Sequence, residues 1–311
     1  MKINFKLFVI AFLGLISCNK PQKSLDNELK IDLKTEAAKI NDYLKKYEEP
    51  SQYFNVSTDK PSKIKGKHGT IVYLNPQDLL TEDGQAIGNS VEVELKELLN
   101  QEQLLRANAP TTSNGQLLVS GGAYYINIKS NGQQLKLKDG KYLSVEFPKI
   151  TSEEMFLFYG QRDTLGQLNW QQVDQKFENK PRQNVKPPSL TNDFENILSY
   201  IELESNKPLT LEEQQRIEEN AKIAKVLDYL YQPIKLNQFG WINCDRFYNV
   251  PNKTNLYYSF NPIDSIVSAK VYLVFKNINS IMESFSFSIK DNKYKGVFDN
   301  IPVGENIKFI A

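Results

Sequence analysis

The stretch from Gly66 to Pro148 most constrains what this chain can fold into, because short runs of alternating residues are cut there by Asp83-Gly84, Asn114-Gly115, Asn131-Gly132 and Asp139-Gly140. Asn-Gly and Asp-Gly pairs favour type I′ turns, whose two central residues take positive φ, and such turns join neighbouring antiparallel strands. Between the turns Thr70, Val72 and Leu74 alternate, as do Val91, Val93 and Leu95, with Glu92, Glu94 and Lys96 turned the other way. Tyr124–Lys129 is joined to Leu135–Lys138, and Tyr142–Phe147 follows. A half-buried alternating pattern with polar turns roughly every ten residues predicts an antiparallel β-sandwich, not a parallel α/β sheet.

The N-terminus speaks of location. Met1-Lys-Ile-Asn-Phe-Lys6 is a positive n-region, Leu7 to Leu13 an apolar core too short for a permanent span, and Leu15-Ile-Ser-Cys18 a small-residue cleavage site. These residues resemble the bacterial lipobox, in which the bond between Ser17 and Cys18 is cut and Cys18 carries the lipid. Acyl chains hold a protein to a bilayer because each buried methylene contributes about 0.8 kcal/mol. The reading is therefore of a protein anchored to a membrane and not crossing it.

Beyond the short polar tether, Leu29, Leu33, Ala37, Ile40, Leu44 and Tyr47 recur at helical spacing and Pro50 stops the run. After the central strands, Met155 to Tyr159 reads as a strand, Asp163-Thr-Leu-Gly166 as a turn, and 180–189 as a Pro-rich linker. Helices are predicted over 190–202 and 211–231, the second opened by the capping box Thr210-Leu-Glu-Glu213. Val271, Leu273 and Phe275 then alternate, and further strands follow to Ile310. The expected fold is mainly β with a helical connector: signal peptide 1–17, lipidated tether 18–23, amphipathic helix 24–50, β-sandwich 55–175, linker and connector 176–236, and a small C-terminal β module 237–311.

At Gly69-Thr-Ile-Val72, Val91-Glu-Val-Glu-Leu-Lys-Glu97, Thr111-Thr-Ser-Asn-Gly115 with Ser120-Gly-Gly-Ala123, Gly132-Gln-Gln-Leu-Lys-Leu137, and Phe156-Leu-Phe-Tyr-Gly160 before Trp170, the chain resembles lipid-anchored proteins of the Bacteroidota. Their β-sandwich module is distantly like that of ankyrins and netrin receptors. The resemblance implies a fold and a compartment, the outer membrane of the cell envelope. Some animal relatives of the module cleave themselves at a His-Phe-Ser sequence; here the one histidine, His68, precedes Gly69-Thr70, and Phe285-Ser286 follows Ser284, so that chemistry has no matching residues. In some Bacteroidota-type lipoproteins an acidic run after the lipidated cysteine marks transfer to the outer face. Asn19-Lys-Pro-Gln-Lys-Ser24 has none, which points toward the periplasm. The C-terminal module resembles prealbumin-type or carboxypeptidase-regulatory sandwiches, whose usual work is scaffolding.

Candidate chemistry is sparse. The 38 basic and 37 acidic residues leave a formal net charge of +1, so no overall field attracts nucleic acid. One histidine and two cysteines remove most zinc constellations, and no metal or cofactor is expected. Phe239, Trp241, Phe247 and Tyr248, within ten residues of Cys244, Asp245 and Arg246, form either a ligand-stacking patch or a packed seam between modules. The resemblance extends to this segment. Cys244 reads as a buried free thiol, and Asp245 with Arg246 as a local ion pair or a rim pair. The functional expectation is a non-catalytic, membrane-anchored envelope lipoprotein that binds an envelope protein or glycan or serves as a scaffold. The alternatives are a carrier of lipid or a small hydrophobic ligand, and a glycan hydrolase using carboxylates among Glu92, Glu94 and Glu97.

Overall fold

The computed structural model describes residues 33–180, 230–260, 269–286 and 294–311. In chain order these form α1 (Leu33–Lys45), β1 (Gln52–Ser57), β2 (Ser62–Lys65), β3 (Ile71–Leu74), β4 (Leu79–Thr81), β5 (Ser90–Leu98), α2 (Gln101–Arg106), β6 (Thr112–Ser113), β7 (Gln116–Ser130), β8 (Gln133–Leu137), β9 (Leu143–Glu146), β10 (Phe156–Arg162) and β11 (Leu168–Lys176). They continue as β12 (Ile234–Leu236), β13 (Gly240–Phe247), β14 (Lys253–Phe260), β15 (Ala269–Phe275), β16 (Ile281–Ser286), β17 (Tyr294–Pro302) and β18 (Ile307–Ile310). The protein is mainly β, and the strand pairings are antiparallel.

The principal sheet runs β1-β5-β7-β13-β10-β11, and a smaller one runs β12-β9-β3-β2. Alternation does the sorting. Val91, Val93 and Leu95 of β5 and Tyr124, Ile126 and Ile128 of β7 turn toward Val72, Leu74, Leu143, Val145 and Leu236, and together they fill the space between the two sheets. The two Asn-Gly turns carry the expected chirality: Asn131 and Gly132 have φ of 50° and 78° between β7 and β8, and Asn114 and Gly115 have 48° and 77° between β6 and β7. At Asp83-Gly84 and Asp139-Gly140 the expectation is corrected, since only the glycine takes positive φ, 84° and 71°. On the opposite face of the principal sheet a second core gathers Leu98, Leu104, Ala123, Phe158, Leu168 and Trp170 with Ile281 from β16. A third, made of Leu117, Val271, Leu273, Phe275, Met282, Phe298 and Ile301, holds the C-terminal strands together.

Several expected boundaries move. The strand expected to open the C-terminal module, β13, instead fills the centre of the principal sheet, pairing β7 on one side and β10 on the other. β12 likewise belongs to the smaller sheet, not to a connector. The reason is burial: Ile242 and Cys244 complete the core on one face while Trp241 and Phe247 pack on the other, so neither face of β13 suits solvent. The boundary at 237 is corrected accordingly, and the C-terminal strands proper begin at β14. The helix expected over 211–231 lies outside the described residues except for Leu230 and Tyr231, which are not helical. Both form β-bridges, to Pro148 and Asn179, because the buried Tyr231 ring packs on Phe177. The linker at 181–189, the helix at 190–202 and residues 1–32, including the start of the first helix, also lie outside them. The C-terminal strand β18 pairs with β15.

The C-terminal strands are pinned to the sandwich by hydrogen bonds to backbone carbonyls. Thr111 N donates to Ile281 O at 2.8 Å, Ser120 N to Asn279 O at 3.0 Å and Ser280 Oγ to Leu118 O at 2.6 Å.

Candidate groove on the outer face

Register brings one row of side chains together across five strands. Lys96 of β5 lies opposite Tyr125 of β7, Tyr125 opposite Trp241 of β13, Trp241 opposite Gly160 of β10, and Gly160 opposite Trp170 of β11. Residues in such a row share a face of the sheet, here the face turned away from the sandwich interior. Gly160 leaves a gap that the indoles close: Trp170 meets Trp241 edge-on with centroids 6.3 Å apart, and Tyr125 tilts against Trp241 at 5.2 Å. Trp170 is buried and its indole N–H donates to Pro110 O at 2.7 Å, whereas Trp241 is half-buried and lines a groove of about 360 Å³.

The groove has the C-terminal half of α1 as one wall and the 106–108 turn as another, with Asn41, Lys45, Glu48, Arg106 and Asn108 among its lining. α1 is tied down at two points. Asn41 Nδ2 donates to Leu165 O at 3.1 Å, and Glu48, just past the helix, forms an ion pair with Lys96. Arg162, two residues beyond Gly160 and therefore on the same face, sits with its guanidinium 4.8 Å from the Trp241 ring centroid. Its Nη1 donates to Asn108 O and Gly166 O, both at 2.8 Å, and its Nη2 to Ala107 O at 2.9 Å. Burial pushes its pKa down, with the Glu283 and Glu48 charges acting in the opposite sense. Among the described residues no carboxylate lies within ion-pair distance of it.

Beneath the turn lies a polar network that the sequence did not announce. Asn108, at φ 48°, accepts from Lys270 Nζ at 2.9 Å and Tyr272 OH at 2.7 Å and donates to Asn41 Oδ1 at 2.9 Å. Lys270 also pairs with Glu283 at 2.9 Å, both side chains buried. Burial raises the Glu283 pKa in spite of Lys270 and Arg162, which pull it down. The residue type was the one signal available in advance: asparagine is enriched at positive φ, and that marks only a turn.

The four aromatic residues singled out in the sequence do not converge. Phe239 packs on the sandwich core, Trp241 and Phe247 on the outer core, and Tyr248 on the C-terminal core, where its hydroxyl donates to Glu305 at 2.6 Å. Of them only Trp241 lines the groove. Cys244 is a buried free thiol whose pKa burial pushes well up. The expected Asp245–Arg246 pair is corrected: consecutive strand residues point to opposite faces. Asp245 is buried, accepting from Asn243 Nδ2 at 2.5 Å, and Arg246 reaches Glu153 at 3.7 Å. Burial drives the Asp245 carboxyl well above the usual carboxylate range, offset in part by Ser120, Asn243 and the Gly121 amide.

The carboxylates of β5 part company as well. Glu97 is on the core side, buried, and accepts from the backbone N–H groups of His68 at 2.8 Å and Thr70 at 3.0 Å. Glu94 is on the groove side and accepts from Ser51 and Tyr53. Ser17 and Cys18 lie outside the described residues, among which no group of three or more His, Cys, Asp or Glu is placed to hold a metal ion. None of the described helices is long and apolar enough to cross a membrane. No family model, curated protein or solved structure matches the chain.

Proposed function

We propose that the protein is a non-catalytic lipoprotein of the cell envelope, anchored through Cys18 in the outer membrane, that binds an envelope partner in the groove beneath α1. The anchor rests on the lipobox-like Leu15-Ile-Ser-Cys18. The binding reading rests on Arg162. Withdrawing a guanidinium from water is unfavourable unless something compensates it, and here the compensation at contact distance is three carbonyls and an indole face; among the described residues Glu283 and Glu48 act on the charge only from beyond ion-pair distance. A cation so held, at the wall of an open groove, is prepared for a ligand.

Neither alternative draws comparable support. Carriage calls for a hollow interior, and the space between the sheets is filled by Tyr124, Phe147, Phe177 and Tyr231 in mutual ring contact. Hydrolysis calls for two carboxylates flanking a substrate, and Glu97 is occupied in holding the loop at 68–70.

The test uses cells expressing the full chain with a photo-crosslinking residue in place of Lys45, on the exposed rim of the groove, grown with a clickable fatty acid. Label on the Cys18 form, none on Cys18→Ala, and a light-dependent adduct through position 45 are the expected results. Label that survives Cys18→Ala overturns the anchor. An anchored protein that gives no adduct overturns the groove as a binding surface.

A further inference from the structure

We infer, on the reading of the groove as a binding surface, that its ligand is a carboxylate-bearing saccharide whose carboxylate is received by Arg162. A guanidinium has five N–H donors. Carbonyls of Ala107, Asn108 and Gly166 take three, both of Nη1 and one of Nη2. The Nε donor and the second Nη2 donor remain. Where these two share the side edge of the guanidinium they form a parallel fork, the geometry that a carboxylate accepts in bidentate fashion. Trp241 holds the plane of that fork from one face, so the donors do not have to be ordered when the ligand arrives.

The remaining lining selects what the carboxylate is attached to. Four cations, Lys45, Lys96, Arg106 and Arg162, stand against two carboxylates, Glu48 and Glu94. Glu48 neutralises Lys96, and Arg106 pairs with Glu102. What is left is a small positive excess with an acid beside it. A polyphosphate or nucleic acid would meet Glu48 and Glu94 as like charges, whereas a ligand with one negative charge and many hydroxyls meets acceptors in those carboxylates and donors in Lys45 and Lys96. Tyr125 and the exposed edge of Trp241 give the aromatic floor against which the C–H face of a sugar ring packs. The volume, about 360 Å³, is at the lower end of the range for small-ligand sites and fits one or two sugar rings better than a protein segment.

Galacturonic acid, which carries a single carboxylate, and its neutral counterpart, galactose, are the probes. They are titrated into the full purified protein by calorimetry and by intrinsic fluorescence, which reports on this spot because the chain has only two tryptophans and both lie in the row. Saturable binding of the acid, at least tenfold tighter than of the neutral sugar, is expected. Arg162→Lys keeps the charge and loses the fork, so it should weaken the acid tenfold or more without changing the neutral sugar. Because Arg162 also clamps two turns, Lys45→Glu on the exposed rim serves as the second variant and should weaken the acid several-fold at an unchanged melting temperature. Equal affinity for both sugars, no saturable binding of the acid, or tighter binding of inorganic phosphate overturns the inference, as does acid binding that both variants leave unaltered. An adduct through position 45 in cells with no uronate binding in vitro discards the saccharide and keeps the groove. Absence of both discards both.

Discussion

Replacing Gly160 by alanine probes the floor of the groove at the point where two strands crowd a third. A methyl group there would lie 2.6 Å from Cζ3 and 2.8 Å from Cε3 of Trp170, and 2.8 Å from Cβ of Trp241. Ordinary contact begins at 3.4 Å, so these separations must open by roughly 0.6–0.8 Å. Trp170 has nowhere to go: it is buried and its indole N–H is spent on Pro110 O. Relief therefore comes from bending β10 or from pushing Trp241 toward Arg162. Overpacking of this kind costs about 1–3 kcal/mol, and a backbone flanked by two indoles belongs near the upper limit. Alanine also narrows the unfolded ensemble, which returns about 0.4–1 kcal/mol. The net loss is then about 2 kcal/mol. With a urea dependence of about 3 kcal/mol/M for a chain of this size, the midpoint falls by about 0.7 M. Tryptophan emission should shift in the folded state as well, since both reporters border the added methyl. An alanine variant with the same midpoint and the same emission would refute the claim that Gly160 is required for the two indoles to meet.

Two further predictions concern the buried charges. Lys270→Met should cost about 3–5 kcal/mol by leaving Glu283 unpaired in the interior, and Lys270→Met with Glu283→Leu should recover most of that loss in a denaturant titration. Asp245→Asn should flatten the pH dependence of stability. The folded carboxyl titrates above its unfolded value, so its contribution is fully present below about pH 4 and is lost as pH rises toward the folded pKa, at up to about 1.4 kcal/mol per pH unit. Glu283 shifts in the same sense in both proteins, so the difference between their unfolding midpoints from pH 4.5 to 8 isolates Asp245.

What was legible in advance was local. Asn131-Gly132 and Asn114-Gly115 dictate positive φ whatever surrounds them, and alternation along Val91, Val93 and Leu95 needs only one buried face. What was hidden depends on pairing. Gly-Trp-Ile-Asn-Cys-Asp-Arg-Phe247 is apolar on neither face consistently, because β13 has a core on each side and a register shift between Asn243 and Asp245. That shift faces Gly121 and Gly122 of β7, the latter at φ 119° with Tyr124 OH only 2.5 Å from where a Cβ would lie. Trp241 therefore stood out by type but not by place. Arg162 drew no reading of its own, since it merely precedes the turn at Asp163 and nothing in its neighbours in sequence reveals the carbonyls of Ala107 and Asn108 that hold it.

The position of β13 also sets a clock for the growing chain. β7 and β10 are complete long before their common neighbour exists, and until Phe247 has been made each presents an open row of amide and carbonyl groups. At roughly 5–20 residues per second, synthesis from Lys176 to Gly240 takes several seconds. For that time the half-built sheet has two vacant edges flanked by apolar faces, and the strand that should fill them is still to come. Another copy at the same stage offers the same edges. A half-emerged chain should therefore need holding factors by virtue of its strand order, and its yield should depend on how well neighbouring chains are kept apart.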